Sequence, residues 1–264
     1  FIVPNSGEIL KAELNKKFET EKAATDFLES LKTASFKVAS VSKTPGTRNP
    51  SAPFTTSTLQ QEANARLGFS AKSTMAAAQK LYQSGKITYM RTDSVNLSRF
   101  AIKSSEEFIK KAFGEKYHKA RNFATKSATA QEAHEAIRPT VIANEKASTS
   151  QDLQKIYTLI RNRTLASQMA PAKIEKTIVK IEISGQENYF EAKGEIVVFD
   201  GFLKVYSSGK KDEFLPELTN GDNLNFNEII AKEVFSRPPA RYTEGSLVKK
   251  LEDLGIGRPS TYAT

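Results

Sequence analysis

The segment ITYMRTDS, residues 87–94, places an arginine two residues after a tyrosine. Residues two apart on a β-strand share a face, so Tyr89 and Arg91 would project together while Met90 points into the core. A tyrosine oxygen can attack a phosphodiester to give a phosphotyrosine, and a fixed guanidinium can orient the phosphate and stabilise its developing charge. The segment therefore predicts phosphoryl-transfer chemistry, and the alternative is that Tyr89 is a packing residue.

A second polar cluster lies in TAQEAHEAIRPT, where Thr129 and Glu132 have the spacing of a capping box. Pro139 would end the helix that they begin. His134 and Arg138 are four residues apart, and on such a helix they could face one phosphate together. A surface histidine balanced by a neighbouring glutamate is the alternative, and spacing alone favours it.

The segment GIGRPSTY, residues 255–262, combines two glycines, a proline and two hydroxyl residues. This pattern is typical of a helix N-terminus, whose free amides attract anions, and Arg258 would strengthen such a site. A simple turn capped by a serine explains the same spacing equally well.

The overall charge favours a polyanionic partner. The chain has 264 residues with 39 Lys and Arg against 30 Asp and Glu, a net charge of +9. The whole excess falls in residues 37–138, which indicates nucleic-acid binding, although basic residues can also serve solubility alone. There is no cysteine and there are two histidines, so disulfides, thiolate zinc sites and a histidine-based metal centre are excluded. No stretch approaches the roughly 20 apolar residues of a membrane span.

The elements that would position these residues begin with a small α+β part. Apolar spacing predicts a helix over residues 21–31, and alternation predicts a strand over 36–41. The segment KTPGTRNPSAP, residues 43–53, is typical of a linker. A helix capped by the hydroxyl residues of TTST and ended by Gly68 should follow.

A second helix should begin at Ser73 or Thr74 and end at Gly85, before a strand over KITYMRT. We expect Ala77, Leu81 and Tyr82 on its inner face. Two helices, a turn and a strand suggest a helix-turn-helix or winged-helix unit. The pattern fits equally well a helical hairpin that does not bind DNA.

Further helices are predicted over residues 99–113 and 151–168. After Pro171 the pattern has period two, which predicts strands in KTIVKIEI, YFEAKGEIVVF and GFLKVY and a turn into another at NGDNLNF. We hypothesise that the strand at 36–41 pairs with these, so that 49–175 is an insertion. A last helix should carry Leu247, Leu251 and Leu254 on one face, with Gly255 as its stop.

Four segments together closely resemble bacterial type IA DNA topoisomerase I, in the same order and at comparable spacing. They are PFTTSTLQQEANARLGFS, LYQSGKITYMRTDSVNLS, QEAHEAIRPT and PPARYTEGSLVKKLEDLGIGRPSTYAT. They cover most of residues 53–140 and 238–264. The resemblance implies a multidomain α+β fold, in which a β-rich arch domain carries an inserted, mainly helical and winged-helix-like tyrosine domain.

The implied domains are a first part of the arch at 1–48, the tyrosine domain at 49–175, a second part of the arch at 176–237 and the start of a helical base domain at 238–264. Tyr89 matches the family nucleophile that holds a 5′ phosphate. Further matched roles are catalysis by Arg91 and His134, active-site support by Asp93 and Arg138, and DNA binding by Arg258, Ser260, Thr261 and Tyr262.

The family further implies ATP-independent relaxation of negatively supercoiled DNA, with single-stranded DNA as the bound form. Mg²⁺ would be held by a Toprim domain with an Asp-x-Asp motif, which this sequence lacks. We therefore expect a central fragment without the Toprim domain and zinc modules, monomeric and nearly inactive alone, from a bacterial, cytoplasmic and nucleoid-associated enzyme without membrane contact. The alternatives are a non-catalytic DNA-binding module, topoisomerase III and a reverse gyrase domain.

Overall fold

A computed structural model describes residues 1–4, 6–123, 135–207, 209–258 and 260–261. The chain folds into two compact units. Unit 1 comprises Phe1–Arg48, Ala172–Phe199 and Gly209–Pro238, and unit 2 comprises Asn49–Pro171, Asp200–Ser208 and Pro239–Thr264. The mixture of an antiparallel sheet and helices confirms the α+β class that the sequence predicted.

Among the described residues, unit 1 is built on a five-stranded antiparallel sheet, whose strands lie side by side in the order Glu13–Leu14, Tyr189–Phe199, Ala172–Ile183, Phe36–Arg48 and Asn223–Leu224. Its core consists of aromatic and β-branched side chains from the sheet and the N-terminal segment, among them Phe1, Phe36, Ile181 and Phe190. The elements are β1 (Glu13–Leu14), α1 (Glu21–Ser30), β2 (Phe36–Arg48), β3 (Ala172–Ile183), β4 (Tyr189–Phe199) and β5 (Asn223–Leu224).

The pairing of β2 with β3 confirms the hypothesis that strands far apart in sequence join in one sheet. The ladder runs from Phe36 opposite Ile183 to Arg48 opposite Ala172. The linker predicted from residue 43 is therefore wrong in its first half, because β2 continues to Arg48. Pro45 is tolerated there since β5 pairs only with the start of β2, which leaves that side of the strand without a partner strand among the described residues.

Unit 2 is mainly helical. Its first helix, α2, has a reciprocal capping box between Thr55 and Thr58 and ends at Gly68, whose left-handed φ of 70° suits glycine. Ser70 caps the next helix, which therefore starts earlier than the predicted Ser73 or Thr74. The helices are α2 (Thr56–Leu67), α3 (Ala71–Gln83), α4 (Arg99–Phe113), α5 (Gln151–Ser167) and α6 (Glu244–Asp253).

Two strands predicted in unit 2 are wrong. The segment KITYMRT forms no strand; its only bridge among the described residues joins Ile87 to Pro139. The strand that a winged-helix unit would need after its second helix is therefore absent from the described residues. GFLKVY begins instead with a 3₁₀-helix over Gly201–Lys204, since Gly201 has φ of 51° and its backbone approaches the carbonyl of Ala170 too closely for a side chain.

The helix predicted to end at Pro139 does not extend through residues 135–139. That stretch is extended, with Ile137 bridged to Phe54 and Pro139 bridged to Ile87. Its backbone groups are satisfied by other segments, for example by the bond from the Ile137 amide to the Phe54 carbonyl at 2.8 Å. The proposed capping pair Thr129 and Glu132 lies outside the described residues.

The predicted apolar face of the last helix is wrong at two of its three leucines, and the third, Leu251, is half-buried. Leu247 and Leu254 are exposed, whereas Gly245 and Val248 are buried. A side chain at Gly245 would come within 3.0 Å of the Cα of Gln61, so the absence of a side chain allows α6 to lie close against α2.

The predicted domain division differs from the two units in three respects. The second sheet segment begins at Ala172 rather than residue 176, residues 200–208 belong to unit 2, and Pro239–Thr264 also group with unit 2. The assignment of these parts to an arch, a tyrosine domain and a base domain stays a prediction.

Candidate active site

Tyr89 and Arg91 lie on an irregular segment between α3 and α4, and both side chains are exposed. The Tyr89 side chain is 46% exposed, whereas Met90 and Thr92 are buried. The predicted alternation over these residues is thus present without a regular strand. Asp93 is half-buried. Arg91 is exposed, and no ion pair of its guanidinium is found among the described residues.

One threonine at the start of α2 fixes the segment just after Tyr89. The Oγ1 atom of Thr56 accepts a hydrogen bond from the Thr92 amide at 2.9 Å and can donate to the Met90 carbonyl at 2.8 Å. The Thr56 amide also donates to the Thr92 carbonyl at 2.9 Å. Thr56 is fully buried, so these bonds are shielded from water. The backbone on the C-terminal side of Tyr89 is therefore tied to a helix.

A second threonine fixes the segment just before Tyr89. The Thr88 amide donates to the Arg138 carbonyl at 2.9 Å, and the Thr88 hydroxyl accepts from the Arg138 amide at 3.0 Å. The same hydroxyl can donate to the Ala136 carbonyl at 2.7 Å. Tyr89 consequently lies between Thr88 and Thr92, whose backbone groups are both hydrogen-bonded to other segments, and this limits the freedom of its own backbone.

Arg138 supports this arrangement through its side chain as well. Its guanidinium donates two hydrogen bonds to Glu135, at 2.7 and 3.1 Å, and Glu135 also accepts from the Ser98 amide at 2.6 Å. Burial raises the pKa of the Glu135 carboxyl, but the hydrogen bonds from Arg138 and Ser98 outweigh it, and the net pKa is lower than that of an ordinary glutamate. The Arg138 guanidinium is thus engaged by a carboxylate rather than directed at a phosphate.

The structure brings the predicted residues together only in part. The segments of Tyr89 and Arg138 are joined through Thr88, but the predicted helix that would pair Arg138 with His134 is not formed at Arg138. His134 itself lies outside the described residues, as does Tyr262.

The last predicted site segment follows α6. Ser57 of α2 donates to the Glu252 carboxylate of α6 at 2.5 Å, so the end of α6 lies against the start of the helix that holds the Tyr89 segment. Beyond it, the Arg258 amide donates to the Thr261 hydroxyl at 2.9 Å and the Thr261 amide to the Arg258 carbonyl at 2.9 Å. Arg258, Ser260 and Thr261 are all exposed.

Sequence reasoning missed three side chains that bear on this site. Thr56 and Thr88 were not singled out, because a threonine that bonds to distant backbone looks in sequence like any helix cap or strand residue. Tyr82 was placed on the inner face of α3, yet it is 41% exposed and its ring contacts that of Tyr89. A buried hydroxyl and an exposed ring leave no trace in residue spacing.

The described residues contain no group of three or more His, Cys, Asp or Glu side chains that could hold a metal ion. The described acidic residues near Tyr89 therefore do not fit a Mg²⁺ site, and we assign no ligand to it in this chain. In the same part of the chain, every helix is too short or too polar to cross a membrane.

Comparison with known proteins gives one consistent family. The model of the DNA topoisomerase family matches residues 3–264. DNA topoisomerase 1 of Zymomonas mobilis is 44% identical over 96% of this chain and 22% of that protein. The Vibrio cholerae protein of the same name is 46% identical over 93% of this chain and 28% of its own length.

A solved structure agrees. The full-length topoisomerase I of Thermotoga maritima superimposes with a TM-score of 0.79 and 35% identity, over 96% of this chain and 43% of that one. This chain thus spans less than half of the length of these relatives. Family match, identity and fold agree, and the chain belongs to the bacterial DNA topoisomerase I family.

Proposed function

We propose that this chain carries the nucleophile of a type IA DNA topoisomerase, with Tyr89 as the residue that breaks one DNA strand. The observation that carries the proposal is the half-exposed Tyr89 ring beside an exposed Arg91, on backbone that is anchored on both sides. A packing tyrosine would be buried, whereas Tyr89 is half-exposed on backbone that the buried Thr56 and the half-buried Thr88 hold in place.

In the proposed reaction the Tyr89 oxygen bonds to the phosphorus of a single-stranded segment as the bond to the 3′ oxygen breaks. The products are a 5′ phosphotyrosine and a 3′ hydroxyl, which takes up the proton that the phenol loses overall. Arg91 orients the phosphate and stabilises the charge on its oxygens. Because the phosphotyrosine keeps the bond energy, attack by the 3′ hydroxyl reseals the strand without ATP.

The resemblance of the sequence motifs to the family supports roles for further residues. We assign Asp93 and Arg138 to support of the site, with Arg138 acting through the Thr88 backbone. His134 is a proposed catalytic residue, and four positions after α6 are proposed to contact single-stranded DNA. The latter are Arg258, Ser260, Thr261 and Tyr262.

The whole enzyme is proposed to relax negatively supercoiled DNA as a monomer in the bacterial cytoplasm, at the nucleoid. Mg²⁺ would be held by a Toprim domain, whose Asp-x-Asp motif does not occur in these 264 residues, so these residues alone should bind single strands weakly and cleave little. Movement of unit 1 as an arch would admit the second strand. Binding should weaken with salt: the logarithm of the binding constant should fall with the logarithm of the salt concentration, with a slope of about −0.7 per phosphate neutralised.

The decisive experiment reconstitutes the site. The chain is mixed with, or joined to, a Toprim domain of a bacterial type IA enzyme and Mg²⁺, and a 3′-labelled single-stranded oligonucleotide is added. Attack by Tyr89 leaves the labelled part attached through its 5′ phosphate, so the label should migrate with the protein after denaturation. Tyr89→Phe should abolish attachment.

The matched control is Tyr242→Phe, which alters a tyrosine that is 61% exposed in the same unit and should leave attachment unchanged. Label that remains attached in Tyr89→Phe would refute the assignment of the nucleophile. If the unaltered chain and Tyr89→Phe bind the oligonucleotide equally and neither becomes attached to it, the chain is instead a DNA-binding module without catalytic activity.

A further inference from the structure

The exposed ring of Tyr82 contacts the ring of Tyr89, and the proposed function does not use it. The two ring centroids are 5.2 Å apart and the ring planes meet at 68°, an edge-to-face contact. Both rings remain partly open to solvent. Such pairs are attractive because the positive edge of one ring meets the negative face of the other.

Tyr82 is held in place by the end of α3. Leu81, its neighbour, is buried, and the turn after it is fixed by bonds from the Gly85 amide to the Tyr82 carbonyl at 2.8 Å and from the Lys86 amide to the Leu81 carbonyl at 2.9 Å. Gly85 has φ of 67°, which allows the chain to reverse there. The Tyr82 ring therefore projects from an anchored turn rather than from a loose loop.

The backbone anchors at Thr88 and Thr92 leave the side-chain torsions of Tyr89 undetermined. A half-exposed tyrosine on fixed backbone can still occupy several staggered rotamers, and only some of them point the oxygen at a bound phosphate. The edge-to-face contact favours the rotamer in which Tyr89 lies against Tyr82. Attack on phosphorus requires close alignment of the attacking oxygen, so a contact that holds the ring in an orientation suited to attack would raise the rate.

On the basis of the proposed function, we propose that Tyr82 is a positioning residue, which holds the Tyr89 ring in the orientation from which its oxygen attacks DNA. Tyr82 acts through its ring and not through its hydroxyl. Tyr82→Phe should therefore keep the effect, and Tyr82→Leu should remove it while keeping apolar bulk and helix propensity at the end of α3.

The kinetic test uses the reconstituted site, at saturating oligonucleotide and in single turnover. Tyr82→Leu should slow covalent attachment by about three- to tenfold, the range that loss of an aromatic pair allows. Its Kd for the oligonucleotide should stay within about twofold of that of the unaltered chain, and Tyr82→Phe should restore the rate. Tyr242→Leu, the matched change at another exposed tyrosine, should alter neither quantity.

A second measurement does not require activity. With 3-fluorotyrosine at position 89, the fluorine resonance of the chain alone should move when Tyr82→Leu removes the neighbouring ring, and it should move little in Tyr82→Phe. An unchanged resonance in Tyr82→Leu would show that the contact is absent and would overturn the proposal, whatever the kinetics.

The remaining outcomes separate this inference from the function on which it rests. A weaker Kd with an unchanged saturated rate would make Tyr82 a stacking surface for a base and would refute positioning. If the resonance moves but the unaltered chain forms no adduct, the proposed function fails, and the positioning role falls with it while the contact itself stands.

Discussion

Replacement of Thr56 by valine should loosen the backbone beside Tyr89 without changing any residue that would touch DNA. Valine has nearly the shape of threonine but cannot bond to the Thr92 amide or the Met90 carbonyl, and both of these residues are buried. Each unsatisfied buried group costs about 1–3 kcal/mol. We therefore expect a local loss of about 2–4 kcal/mol, taking the lower part of the summed range because water can reach a loosened segment.

Thr56→Ser is the matched control. Serine keeps the hydroxyl and both of its bonds, and removes one buried methyl group, which costs about 1 kcal/mol. The contrast between valine and serine thus isolates the hydrogen bonds from the packing of the side chain.

Amide hydrogen exchange over residues 86–98 measures the effect locally, which matters because a chain with two units need not unfold in one step. A local loss of 2–4 kcal/mol raises the exchange rate of the Thr92 amide by about 30- to 900-fold, and a loss of 1 kcal/mol raises it about fivefold. If the valine and serine variants exchange equally fast, the Thr56 hydroxyl does not hold this segment. In the reconstituted reaction, Thr56→Val should also slow attachment more than it weakens DNA binding.

Three further changes probe the surrounding unit. Phe54→Ala removes a fully buried ring that lies under the Arg163 guanidinium at 4.8 Å, and should cost about 3–5 kcal/mol in thermal or denaturant unfolding of unit 2. Burial raises the pKa of Tyr206 to about 12, so between pH of about 10 and 12 the phenol ionises in the unfolded chain but not in the folded one. The free energy of unfolding should therefore fall by about 2–3 kcal/mol across that pH range. Tyr206→Phe should make this fall smaller. The lowered pKa of Glu135 stabilises the fold above the pKa of an unfolded glutamate, about 4.3, and this contribution disappears as pH falls through the folded value. The protection factors of the amides over residues 135–140, which are their intrinsic exchange rates divided by the observed rates, should therefore fall in acid, and less so in Glu135→Gln.

Periodicity predicted the long regular elements of this chain well. The helix over residues 99–113 and the strand β4 were found where helical spacing or alternation placed them, and β3 was found with a start at Ala172, four residues before the predicted one. Glycine signals were equally informative, since Gly68 and Gly85 both adopt positive φ at the ends of helices. These features depend on local geometry, which neighbouring residues in the sequence determine.

What periodicity could not predict depends on contacts between distant segments. The linker signal at Pro45 and Gly46 was overridden by pairing with β3, which extends β2 to Arg48. The apolar face of α6 was misassigned because close packing at Gly245, a residue without a side chain, decided which side faces α2. At each of these positions, tertiary contacts rather than local sequence determined the structure.

In the motif TYMRTDS, too, some residues follow the local pattern and others depend on contacts with a distant segment. Its tyrosine and arginine face solvent, while Met90 and Thr92 face inward. Thr92 contributes backbone groups that bond to Thr56, a residue of a different family segment. The two segments therefore form one physical unit: the segment that contains Thr56 anchors the backbone, and the segment TYMRTDS carries Tyr89, the proposed nucleophile. Substitution of the anchor should accordingly impair the chemistry while leaving every group that would meet DNA in place.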